Sequence, residues 1–150
     1  MSGGESNIMK FSEIKREEWA ELKPYLDTCL LPVTGLSGKE DPVEAADRLE
    51  QLRDLMDNIE GPFRGRIVTV PAVQYVMGSD ESFVSGLNLL CSHLKSTGYT
   101  YVIVVSLLDR PSLEHPQGPD LWISPRIEGN EIRSQEISGM IQRLWSNNKS

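Results

Sequence analysis

The stretch Tyr99 to Leu108, YTYVIVVSLL, constrains the fold of this chain more than any other. Val102, Ile103, Val104 and Val105 follow one another with no polar residue between them. A strand wetted on one face alternates apolar and polar residues, whereas a strand covered by helices on both faces does not. The run therefore predicts a central strand of a parallel sheet.

The flanking segments fit that expectation. Asp41-Pro42-Val43-Glu44 combines a capping carboxylate, proline at the first helical position and glutamate three residues after the cap. Ala45, Leu49, Leu52, Met56 and Ile59 then recur at helical spacing, which predicts a helix over 41–59 ended by Gly61-Pro62. A second helix is expected over 81–96, with an apolar stripe through Phe83, Leu87, Leu90, Cys91 and Leu94, and Gly98 as its left-handed stop. Shorter helices are expected over 12–23, capped by Ser12, and over 131–145.

Strands are expected over 25–33, over 66–70 with an extension past a bend at Pro71, and over 120–124. Gly78 and Ser79 form a turn, and 110–119, with three prolines, is a loop. Pro32 gives no N–H to a ladder, so it argues against a central place for the first strand unless it lies at the strand's end. Helices between strands act as crossovers. The expected architecture is an α/β three-layer sandwich with a short, mostly parallel four-stranded sheet. Residues 11–146 form one domain, preceded by a frayed segment over 1–10. The direction of the fourth strand is open.

The 150 residues carry a formal charge of -7, which disfavours nucleic acid and anionic membrane surfaces as partners. Eight acidic and two basic residues lie between Glu40 and Glu60, making the helix over 41–59 either a solvated face or a docking face for a basic partner. Cys29 and Cys91 sit in apolar runs and read as buried free thiols. Neither an apolar leader nor a membrane-length apolar run is visible, so the cytoplasm is the expected location.

Motifs for chemistry are sparse. GxGxxG, GxxxxGKS, GxSxG and HExxH do not occur. Two histidines, His93 and His115, cannot build a multi-histidine metal site, and no metal or cofactor is expected. Thr34-Gly35-Leu36-Ser37-Gly38 is either a plain turn or an anion-binding loop, with Asp41 placing negative charge where a phosphate would sit.

In open α/β sheets, ligands gather outside the carboxyl ends of the strands. That rim collects Thr34 and Ser37, Gln74 and Tyr75, Ser106, Asp109 and Arg110, and Ser124 and Arg126. The tentative ligand set is Ser37, Tyr75, Asp109, Arg110 and Arg126, with Asp109 as a base or metal ligand and the arginines as holders of a carboxylate or phosphate. The rival reading makes Asp109-Arg110 a structural pair. Asp27 precedes a buried run and must be paired or solvated, which suggests an architectural role. Trp122 and Trp145 either cap the core edge or anchor an oligomer contact.

Two segments carry a resemblance. Tyr25-Leu26-Asp27-Thr28-Cys29-Leu30-Leu31-Pro32 and Phe63-Arg64-Gly65-Arg66-Ile67-Val68-Thr69-Val70-Pro71 together resemble the YpiF-like family of small uncharacterised proteins from Bacillus-like bacteria. The resemblance implies a cytoplasmic bacterial protein and carries over no catalytic residue. The leading expectation is a non-enzymatic interaction or regulatory domain, self-associating or docking a protein at the acidic helix. The alternative is a small-molecule or nucleotide-binding domain, in one form an enzyme, that uses the rim.

Overall fold

The computed structural model describes residues 14–75, 80–108, 118–127 and 130–147. The segment over 1–10, the Ser12 cap, the Gly78-Ser79 turn, Asp109, Arg110 and His115 lie outside the described residues. The elements run α1 (Arg16–Leu22), β1 (Thr28–Leu36), α2 (Pro42–Glu60), β2 (Ile67–Thr69), β3 (Val73–Tyr75), α3 (Asp80–Ser96), β4 (Tyr101–Ser106), β5 (Leu121–Ile123), β6 (Arg126–Ile127), β7 (Asn130–Glu131) and α4 (Ser134–Asn147).

The main sheet has the order β2-β1-β4-β5, with β3 also paired to β1. Every pairing in it is parallel, including β4 with β5, which settles the direction of the last strand. The chain moves from β1 to one side, then crosses back over β1 to reach β4. Crossovers of one hand travelling in opposite directions cover opposite faces. Accordingly Leu52, Leu55 and Ile59 of α2 pack with Ile137 and Ile141 of α4 on one face, against Leu30, Ile67, Ile103 and Ile123. On the other face Leu87 and Cys91 of α3 pack against Cys29, Leu31, Val102, Val104 and Trp122. All six residues of β4 are buried between these layers, as its unbroken apolar run requires.

Three expectations need correction. The first strand is β1 itself, at the centre of the sheet, and it carries Pro32 inside it. Thr28 donates its amide to the Arg66 carbonyl, and the Leu30 carbonyl accepts from the Val70 amide. Alternation then turns the nitrogen of Pro32 toward that same edge, at the level where β2 has ended at Thr69 and β3 has not begun. The missing N–H falls in a gap between two short strands. The ladder to β4 is continuous from Thr28 to Val33. The interruption at Pro71 also explains the strand count. The edge expected as one bent strand is two, and the register against β1 shifts between Val33 and Leu36.

The second correction concerns helix limits. α1 starts at Arg16, after Lys15, whose amide donates to Glu18 Oε1 at 3.3 Å. The chain at 130–131 pairs antiparallel with 126–127, so α4 starts at Ser134 rather than 131 and runs to Asn147. Third, Leu49 of α2 is 42% exposed and Leu55 takes the core position instead. By contrast α2 begins as its sequence predicts. Asp41 Oδ1 accepts from the Glu44 amide at 2.8 Å, and Glu44 Oε1 accepts from the Asp41 amide at 3.2 Å. Gly98 has the expected positive φ, at 127°.

Candidate functional site

The strand order reverses at β1, so the ligand crevice of such a sheet would open between the carboxyl ends of β1 and β4. Among the described residues, Leu108 reaches that end of β1. Gly35 has φ +78°, and a Cβ on it would stand 2.9 Å from Leu108 Cγ. Leu108 therefore lies across the end of β1. Its amide donates to the buried Ser106 hydroxyl at 3.0 Å, and its carbonyl accepts from Trp122 Nε1 at 3.1 Å. The Trp122 indole thus closes the core edge and fixes Leu108.

The loop after β1 is likewise satisfied by its own chain. Both carboxylate oxygens of Glu40 accept from the Ser37 amide, at 3.1 and 3.0 Å. The Ser37 hydroxyl and the Gly38 amide donate to the same group, each at 3.0 Å. Backbone N–H groups, that of Ser37 foremost, hold Glu40 down to about 2, well below the ordinary carboxylate value. A loop that could cradle a phosphate holds a side-chain carboxylate in its place.

The other rim residues are divided between the sheet margins. Tyr75 pairs with Leu36, so it stands beside Ser37, and it is exposed at the end of β3. Thr34 donates its hydroxyl to the Gln74 carbonyl. Arg126 lies beyond β5, and its carbonyl accepts from Ser124 Oγ at 3.0 Å. Three strand spacings, roughly 14 Å, separate β3 from β5.

Among the described residues, a concave site lies one layer away from the rim. A groove of about 630 Å³ runs between α2 and the β2–β3 edge. Leu49, Leu52, Arg53, Met56, Asp57 and Glu60 line it from the helix, and Pro32, Thr34, Thr69, Val70, Ala72 and Gln74 from the strands and the link between β2 and β3. Glu60 is 4% exposed, and its Oε2 accepts from the Thr69 hydroxyl. Sequence reasoning counted Glu60 only among the acidic residues of the helix. The signal that locates it is spacing: positions 49, 53, 56 and 60 form one helical stripe beside the core face at 52, 55 and 59.

The two segments quoted for the family resemblance converge at the opposite, amino-terminal end of the sheet. Arg66 Nε donates to Asp27 Oδ1 at 2.8 Å and Nη2 to Oδ2 at 3.1 Å, a two-pronged pair. The Arg66 guanidinium lies 3.9 Å from the centroid of the Trp145 ring. Trp145 Nε1 donates to Thr28 Oγ1, and Thr28 Oγ1 to Asp27 Oδ1, each at 3.0 Å. Phe63 meets Trp145 edge-on at 5.0 Å. These residues tie β1, the turn before β2 and α4 together.

A family model described as "Protein of unknown function (DUF2487)" matches residues 17–146. The chain belongs to the DUF2487 family. No curated protein and no solved structure matches it.

In this DUF2487 chain both cysteines are free thiols. Cys29 and Cys91 are fully buried, and burial raises their thiols to about 12 and about 11. His93 is exposed on α3. Among the described residues no helix is long and apolar enough to cross a membrane.

Proposed function

We propose that this DUF2487 chain is a non-enzymatic interaction domain that docks a protein partner on α2 and the groove beside it. The observation that carries the reading is the position of the groove. It lies between the acidic helix and a sheet edge on which, among the described residues, β2 and β3 pair only with β1. Leu49, one of its lining residues, is exposed. Such a surface has apolar area for affinity and charge for orientation. A net charge of -7 opposes self-association through this face, so the partner is a different chain. The cell interior and kinship with the YpiF-like proteins belong to the same reading.

The alternative, a small-molecule or nucleotide site at the strand ends, draws on the parallel sheet and its reversal of strand order. Leu108 across Gly35 and Glu40 in the Ser37 loop weigh against it.

A photoreactive residue at position 49 separates the two readings, with position 89 on α3, also exposed, as the control. Docking predicts a discrete protein adduct from position 49 inside cells. That adduct is absent from position 89 and lost on Asp54→Lys. No adduct from position 49, together with a rise in melting temperature on adding a nucleotide, would overturn docking in favour of the alternative.

A further inference from the structure

We infer that the groove beside α2 receives a lysine or arginine side chain from an extended segment of the partner. The inference rests on the docking reading and adds the chemistry of the docked group. Leu49, Leu52, Met56 and Ala72 give the groove apolar walls suited to a methylene stem. Asp57 stands at its exposed mouth and Glu60 at its buried floor, both carboxylates on one helical face. Glu60 also accepts from the Thr69 hydroxyl, which fixes its carboxylate at that floor. Among the described residues, Arg53 is the one cation lining the groove.

The wider field has the same sign. Glu40 to Glu60 carries a net charge of -6, from eight acidic and two basic residues. A cationic segment is steered toward that face, whereas an acidic one, or a second copy of this chain, is repelled. Side chains rather than main-chain pairing lead the recognition. Pro71 interrupts the edge between β2 and β3, which limits how many ladder hydrogen bonds an added strand could make.

The test is a nuclear magnetic resonance titration of the full chain with a short blocked peptide alternating lysine and valine. A counterpart peptide carries norleucine in place of lysine. The expected result is amide shifts concentrated over 49–60 and 69–75, an affinity that drops roughly tenfold or more with norleucine, and a further drop at high salt. Asp57→Asn, at an exposed position, should weaken the lysine peptide several-fold while the circular dichroism spectrum stays unchanged. Glu60→Gln should do the same and serves as the second variant. Equal binding of the norleucine peptide overturns the cationic inference and leaves docking standing. Absence of groove shifts with the lysine peptide, or full affinity in both variants, also overturns it. Docking is then judged separately by the adduct from position 49.

Discussion

Arg66 and Asp27, 39 residues apart in sequence, meet as a two-pronged ion pair with both N–O distances near 3 Å. The pair joins the entry of β1 to the entry of β2, and the Trp145 ring beneath the guanidinium adds α4 to the joint. The residues that carry the family resemblance therefore do architectural work, at the end of the sheet away from the strand-end rim.

Removal of that joint should be felt in stability. Arg66→Ala is expected to lower the unfolding free energy by about 2 kcal/mol, through lost charged hydrogen bonds and lost contact with Trp145. Arg66→Lys should recover only part of this, because an ammonium lacks the planar fork. Urea unfolding of both variants measures the difference. Full recovery by lysine would mean that the charge alone matters.

Gly35 and Leu108 provide a second test. Gly35→Ala should destabilise by about 2 kcal/mol, combining left-handed strain with overlap on Leu108. Leu108→Ala removes the overlap and leaves the strain. The double variant should accordingly be less destabilised than the sum of the two single changes, as read from urea midpoints.

The loop at Ser37 predicts an acid response. The Glu40 carboxyl is depressed in the folded chain to about 2 from an ordinary 4.5. Its contribution to stability is thus complete above about pH 4.5 and is lost as pH falls through about 2. Glu40→Gln should lower stability at neutral pH and flatten the decline across that window. Unfolding midpoints measured from neutral pH down to pH 2 give both values. An unchanged acid limb would show that the loop does not hold the carboxylate in solution.

The thiols give a fourth expectation. Cys29 and Cys91 are buried and their ionisation is pushed to about 12 and about 11. A disulfide reagent at mildly alkaline pH should label them slowly in the native protein, by orders of magnitude relative to urea-unfolded chain. Rapid native labelling would contradict the packing of α3 on β1.

Local patterns made much of this legible. The capping box at Asp41 and Glu44 is a statement about four consecutive residues, and its two hydrogen bonds form as expected. Val102 to Val105 told that β4 has helices on both faces, because burial of alternate side chains on opposite sides depends only on residue type along one strand. Asp27 read as a carboxylate needing a partner, and Arg66 supplies one.

Tertiary structure alone decided the rest. Pro32 is acceptable in a central strand because its nitrogen faces the gap between β2 and β3, and that gap belongs to a neighbour roughly forty residues away. Leu108 meets Gly35 only once β1 and β4 lie side by side. Glu60 becomes the floor of a groove only when Thr69 and Ala72 come beneath α2. Caps and periodicities are set by contacts a few residues apart and survive in the sequence. Register, close contacts and grooves arise from pairing between distant segments, whose geometry no single segment encodes.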